Sequence, residues 1–196
     1  MHYGLIGNPL ENTFSKNFFE SVFKAQNLEG FTYNNFPLHD LSVLKQLIAD
    51  KHLSGLNVTL PHKINVLPYM NELDESAQKT GAVNCIKVTG KTLKGYNTDV
   101  YGFYQSLLPL LQRWHQRALI LGNGGAARAV KVALQQAGIS WHKLRDKISI
   151  TTSLANTLVM KMSMKRAYVR IRLSSIPLRW ACFLTLQACL IFPIHL

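Results

Sequence analysis

The last quarter of this 196-residue chain lacks two things that folded α/β proteins use throughout. No acidic residue follows Asp146, and none of the 12 glycines follows Gly138. At ordinary usage of roughly 7%, about four glycines belong in the 58 residues that follow Gly138. A folded α/β segment places glycine at turns and helix C-caps that need positive φ, so the tail is read apart from the rest. Cysteine is scarce too: Cys85, Cys182 and Cys189 are scattered, which forms neither a disulfide framework nor a zinc site and argues for a reducing cytoplasm. No metal site is expected. Apolar runs stay short of the roughly 18 residues that a membrane helix needs, and Met1 to Pro9 lacks the basic, apolar and small-residue order of a signal peptide.

The net charge of +12 would by itself suggest a nucleic acid or an acidic membrane surface as partner. Its distribution argues against both. Residues 1–146 carry 15 basic and 10 acidic side chains, whereas residues 147–196 carry seven basic and no acidic ones. More than half of the excess therefore sits in the tail.

Up to about residue 140 short strand-like runs alternate with helical ones. Tyr3–Gly7 is an apolar run ending in a Gly-Asn-Pro turn, and Phe18, Phe19, Val22, Phe23 and Gln26 follow at helical spacing. Phe31–Phe36 and Gly55–Thr59 read as strands on either side of a helix over Asp40–Asp50, with Asp40 as N-cap and Leu44, Leu47 and Ile48 on one face. Pro61 suits the first turn of the next helix. Asp74–Lys79 reads as a helix, Ala82–Val88 and Thr92–Tyr96 as strands around a Thr89-Gly90 turn, and Asp99–Leu111 as a long helix. Ala118–Leu121, Gly122 and Ala126–Gln136 then read as strand, turn and helix. This order predicts an α/β fold with a mostly parallel sheet.

Three constellations carry chemistry. In the first, an apolar strand runs into Gly122-Asn123-Gly124-Gly125-Ala126-Ala127 and a helix. Gly122 permits a tight turn, Gly124 lets the backbone approach a pyrophosphate, and the small Ala127 allows close helix packing, with the phosphate at the helix N-terminus. A tight βα turn without ligand would look similar, and the residues that would read the adenosine ribose fall near Arg145 and Asp146. In the second, Asn57-Val-Thr59-Leu-Pro61-His-Lys63 sets a lysine at the C-terminal edge of a sheet, where α/β proteins place ligands. Alone, Lys63 would be a solvated surface residue. In the third, Gly95-Tyr-Asn97-Thr98-Asp99 starts a helix after a strand, with Asp99 as a simple N-cap in its plainest reading.

Together these residues resemble the shikimate dehydrogenase family over residues 1 to about 142. The resemblance includes Gly7-Asn8-Pro9 followed by Thr13 and Ser15, then the Asn57–Lys63 and Gly81–Asn84 segments, Asn97-Thr98-Asp99 and the Gly122–Arg128 turn, in the family's order. Five ordered motifs reverse the plain reading of Lys63. The resemblance implies an N-terminal substrate domain over 1–100 and the start of a Rossmann-type cofactor domain over 101–146. It implies an NADP-dependent interconversion of 3-dehydroshikimate and shikimate, a step of chorismate and aromatic amino acid biosynthesis. By position, Thr13 and Ser15 would hold the substrate carboxylate, and Thr59, Asn84 and Asp99 would bind ring hydroxyls together with Lys63. Lys63 and Asp99 would be the catalytic pair. Gly122, Asn123, Gly124, Gly125 and Ala126 would bind the cofactor, with Glu75 near its cleft. The opening motif reads Asn12-Thr13-Phe14-Ser15-Lys16 where the family typically has His-Ser-x-Ser-Pro.

The family's chain continues for roughly another hundred residues, whereas residues 147–196 read as unrelated and basic. Overlapping the codons of Ile176 to Thr185 by one base allows them to encode Asn-Thr-Thr-Pro-Leu-Gly-Met-Phe-Pro-Asp, which is similar to a later family segment. The expectation is a frame change between about Trp141 and Ser149, an out-of-frame tail, an incomplete cofactor sheet and little or no dehydrogenase activity. A genuine tail whose Trp180–Ile194 stretch lies on a membrane is the competing account, and Thr185 and Gln187 interrupt that stretch. The expected partner is thus a small molecule, shikimate or 3-dehydroshikimate, with neither nucleic acid nor membrane. Oligomeric state stays open, a homodimer included. The alternative to a dehydrogenase is a module that binds shikimate but not the cofactor. Sequencing the gene across the codons for residues 138–150 tests the frame change: one inserted or deleted base should restore a glycine-containing continuation. A confirmed frame with no such continuation would make the tail genuine.

Overall fold

Strand β1 (His2–Gly7) is buried from Tyr3 onward, on both of its faces, and a strand covered on both faces belongs inside a sheet. The computed structural model, which describes residues 1–10, 14–113, 115–143, 157–162 and 169–171, places it there. β1 pairs in parallel with β2 (Thr32–Pro37) and with β3 (Leu53–Val58). β3 pairs antiparallel with β5 (Cys85–Thr89), β5 forms a hairpin with β6 (Thr92–Tyr96), and the short β4 (Glu72–Leu73) runs parallel to β6 at the edge. The sheet order is β2-β1-β3-β5-β6-β4.

Side-chain alternation along β1 assigns its two faces. Tyr3 joins an aromatic cluster with Phe23 and Phe31, and Phe19 stacks on Tyr33 with ring centroids 4.4 Å apart. Phe19 and Phe23 are four residues apart on helix α1 (Phe14–Ala25), so one helical stripe covers this face. Burial there pushes the Tyr3 phenol up to about 12. Ile6 enters the opposite core with Leu44 and Ile48 of helix α2 (Leu44–Asp50) and with Leu56, Val58, Val83 and Ile86. Short helices α3 (His62–Asn65) and α4 (Glu75–Thr80) complete this unit, which spans Met1–Asn97.

The second unit begins at Thr98. Helix α5 (Asp99–Leu107) buries Val100, Phe103 and Leu107 at helical spacing. These share a core with Ala118 and Ile120 of β7 (Arg117–Leu121) and with Ala127, Val130 and Leu134 of α6 (Gly125–Gln136). β7 is central: β8 (Ser140–Lys143) and β9 (Thr157–Met162) both run parallel to it, and β10 (Val169–Ile171) is antiparallel to β9.

Several sequence-based boundaries shift for local reasons. Asp40 does cap, accepting from the Ser42 amide at 3.0 Å, but the turn it opens is a 3₁₀ segment, Leu41–Val43, before α2 begins. The helix expected to reach Leu111 ends at Leu107 and tightens into a 3₁₀ turn over Leu108–Leu110, because Pro109 cannot supply an amide to the ladder. The strand expected from Ala82 starts at Cys85, the residues before it being drawn into loop hydrogen bonds. Asp99 is the first residue of α5 while Thr98 occupies the cap, which corrects the N-cap reading. Two residues are too few for a period-two pattern, so β4 was not foreseen. Nor were β9 and β10, in the region read as unrelated tail. Thr13, Arg145, Asp146 and the Trp180–Ile194 stretch lie outside the described residues.

Gly4 marks where backbone and neighbour meet most closely. A Cβ there would stand 2.5 Å from the Asn34 carbonyl oxygen and against the Phe36 ring. Gly4→Ala should therefore destabilise the first unit by about 1–3 kcal/mol, measurable as a lower urea midpoint.

Candidate functional site

The three parallel strands of the first unit end together, and their loops are bonded to one another. The Leu38 amide donates to the Gly7 carbonyl at 3.0 Å, the Asn8 amide to Leu60 at 2.9 Å and the Thr59 amide to Ile6 at 2.9 Å. Side chains reinforce this edge. Asn8 Nδ2 meets His39 Nδ1 at 2.8 Å, and His62 donates its Nε2 proton to the Leu38 carbonyl at 2.7 Å. His62 is 3% exposed, and its Nδ1 is buried without a partner.

Two further bonds bring distant motifs to this edge. The Val58 amide donates to the Asn84 carbonyl at 2.8 Å, and the Val83 amide donates to the Lys63 carbonyl at 2.7 Å. Thr59, Lys63 and Asn84, separated by up to 25 residues in sequence, thereby lie on directly bonded segments. Asn84 is 5% exposed, while Thr59 and Lys63 are half-buried. Asn57 serves as a strut, accepting from the Tyr33 hydroxyl at 2.8 Å.

Behind this edge Asn97 forms a buried junction. Its side-chain amide donates to Thr80 Oγ1 at 3.1 Å and to the Ala82 carbonyl at 2.9 Å, and its backbone amide donates to Ser76 Oγ at 2.9 Å. Ser76 in turn donates through both its amide and its hydroxyl to Asp74, the N-cap of α4. These bonds, the hydroxyl first, hold the Asp74 carboxyl below its usual range. Gly81, at φ +57, ends α4 in the left-handed conformation and turns the chain into the Ala82–Asn84 segment. Among the described residues the buried polar side chains are His62, Thr80, Asn84, Asn97 and Thr98. All five lie in, or beside, the motifs read from the sequence. Polar groups are buried at a cost unless bonded, so this clustering separates a built site from an ordinary loop edge.

In the second unit the turn after β7 carries the glycines. Gly122 has φ +137, which a side chain would strain. Gly124 caps α6 with φ −76, and a Cβ on it would meet nothing within 4 Å. Neither backbone nor packing thus requires glycine at 124, and the space above it is open to a ligand. No side chain caps α6, which leaves the first amides of a 12-residue helix directed at that space. β7 has parallel neighbours on both sides, so the turn also stands at a topological switch point, where open α/β sheets bind ligands. Ala127 is 2% exposed, in keeping with close packing of α6. These features fit a dinucleotide phosphate.

Of the other candidates, Ser15 lies half-buried in the first turn of α1, and Asp99 begins α5, a favourable place for a negative charge. Glu75 is exposed on α4 and paired with Lys79 at 2.6 Å. Sequence reasoning missed the braces His39 and His62 and the junction role of Asn97. His62 and Asn97 were inside the motifs, and polar residues between apolar ones were the available signal. Among the described residues no group of His, Cys, Asp and Glu could hold a metal ion, and no helix is long and apolar enough to cross a membrane.

Fold and site together define a two-unit α/β protein with a polar strand-edge site in one unit and a dinucleotide-type glycine turn in the other. Residues 5–86 match the family described as shikimate dehydrogenase substrate binding domain. Curated relatives named shikimate dehydrogenase (NADP(+)) include one from Methanosphaera stadtmanae, 36% identical over 141 residues, covering 70% of this chain and 49% of the relative. One from Bacillus subtilis is 39% identical over 132 residues, covering 65% and 47%. The solved shikimate dehydrogenase of Aquifex aeolicus superposes with a TM-score of 0.68 at 30% identity, over 81% of this chain and 62% of that one. The Thermus thermophilus enzyme, solved in complex with NADP(H) and shikimate, gives 0.64 at 27%, over 85% and 58%. The chain is similar to the shikimate dehydrogenase family in its substrate-binding segment, and to these relatives in sequence and fold. It spans about half the length of the curated relatives it matches.

The Asp74 cap yields a pH-dependent prediction. A lowered carboxyl pKa contributes stability that is present above the unfolded value and lost as pH falls through the folded one. Asp74→Ala should cost about 0.5–2 kcal/mol at neutral pH, and the difference from wild type should shrink as the carboxyl protonates below about pH 4 in parallel urea titrations.

Proposed function

We propose that the strand-edge site binds shikimate and 3-dehydroshikimate with the residues of an NADP-dependent dehydrogenase that interconverts them, and that this chain, whose tail reads as out of frame, retains little or none of that activity. The observation that carries this reading is the bonded convergence of Thr59, Lys63 and Asn84 within the segment matching a shikimate dehydrogenase substrate binding domain. Relatives named for that activity and for NADP support it.

In this reading Thr59 and Asn84 offer a hydroxyl and a carboxamide to the ring hydroxyls, groups that both donate and accept. Ser15 and Thr13 hold the carboxylate, and a short-chain hydroxyl on the first turn of α1 suits an anion. NADP(H) supplies or accepts the hydride when bound. Gly122, Asn123, Gly124, Gly125 and Ala126 would hold its phosphates, with Glu75 near the cofactor cleft. Reduction of a carbonyl leaves negative charge on oxygen, and that oxygen must gain a proton. The Lys63 ammonium supplies both the proton and the compensating charge. Asp99 accepts a hydrogen bond from a ring hydroxyl and completes the catalytic pair. Such a reaction belongs in the cytoplasm.

Hydride transfer between NADPH and 3-dehydroshikimate, together with shikimate binding by calorimetry, tests the proposal. Wild type should bind shikimate and transfer hydride weakly at most, and Lys63→Met should lower whatever kcat/KM it retains about a hundredfold or more while preserving the far-ultraviolet circular dichroism. Failure to bind shikimate would overturn the substrate assignment. Binding without hydride transfer would restrict the function to a substrate-binding module.

A further inference from the structure

A surface pocket of about 450 Å³ lies at the other end of the first unit's sheet. It opens between α2, the turn leading into β3 and the β5–β6 hairpin. Ile48, Leu53, Val88 and Leu93 give it apolar walls, and Lys45, His52 and Lys91 bring basic groups to it. No acidic residue lines it. Among the described residues none of these three basic side chains has an ion-pair or hydrogen-bond partner. From Leu53 to Thr59 the chain runs along β3, roughly 20 Å at strand rise, so this pocket is separate from the strand-edge site.

His52 supplies an independent observation. Its φ is +48, a left-handed conformation that glycine takes freely and that, among other residues, asparagine, aspartate and histidine adopt most often. The turn itself asks for glycine or asparagine. Histidine meets that requirement as well and places an imidazole in the pocket lining.

We propose that this pocket is a binding site for a small carboxylate carried on an apolar body. The three exposed basic groups call for an anion, and the aliphatic side chains beside them favour one carried on an apolar body over inorganic phosphate. The volume suits a molecule of modest size, within the range of ordinary ligand pockets. The ligand is distinct from the hydroxyl-rich substrate of the proposed reaction, and the site stands whether or not that reaction is assigned correctly.

The test is a nuclear magnetic resonance titration of the full chain with phenylacetate, its neutral isostere phenylacetamide, and inorganic phosphate. Phenylacetate should shift the amides of His52, Leu53 and Gly90 saturably, and the other two should bind at least about tenfold more weakly. Lys45→Gln and Lys91→Gln should each weaken phenylacetate about two- to fivefold, as for exposed charge pairs. His52→Gly should weaken binding while leaving Tm unchanged or raised, an outcome that a purely structural histidine would not give. Equal affinity for phenylacetate and phenylacetamide, tighter binding of inorganic phosphate, shifts confined to Thr59, Lys63 and Asn84, or the absence of saturable shifts would each overturn the proposal.

Discussion

The hydrogen bond from the Val83 amide to the Lys63 carbonyl, at 2.7 Å, is the constraint on which the strand-edge site depends. It fixes the helical turn that carries Lys63 to the segment that carries Asn84. The companion bond from Val58 to the Asn84 carbonyl fixes that segment to the strand that ends in Thr59. Each is a backbone bond, so the positions of three functional side chains rest on main-chain geometry more than on their own packing. Loops usually hold functional groups loosely. Here three loops are bonded to each other and to a sheet whose strand β1 is buried on both faces, which turns the edge into a rigid platform.

Rigidity behind the platform comes from buried polar groups. Asn97 joins the C-terminal end of α4, the Ala82 carbonyl and Ser76, and Asp74 holds Ser76 in turn. Each of these bonds contributes a modest net stability, whereas loss of one partner strands a buried donor or acceptor. The network therefore specifies one arrangement of the loop before Asn84. His62 acts alike on the other side, joining the loop after β2 to the turn after β3.

Much of this was legible in the sequence because the strongest signals coincide with backbone necessity. Gly122 at φ +137 and Gly81 at φ +57 are glycines for conformational reasons, and each stands in a motif. Apolar stripes such as Phe19 and Phe23, or Val100, Phe103 and Leu107, gave their helices directly. Three-dimensional bonding was not legible. Nothing in the spacing of Asn8 and His39, or of Leu38 and His62, reveals that they meet, because no local pattern encodes contacts between strand ends. The antiparallel β3–β5 step inside an otherwise largely parallel sheet, and the two-residue β4, were likewise invisible to periodicity. In the second unit the turn around Gly124 was readable, whereas β9 depends on pairing with β7 and not on its own composition.

Hydrogen exchange followed by mass spectrometry, with and without shikimate, tests most directly that the bonded strand-edge loops form the substrate platform. The account predicts slowed exchange in peptides spanning residues 57–63 and 82–85, with the 88–93 hairpin at the far end of the sheet unchanged. Protection confined to that hairpin, or no protection in either loop at saturating shikimate, would contradict it.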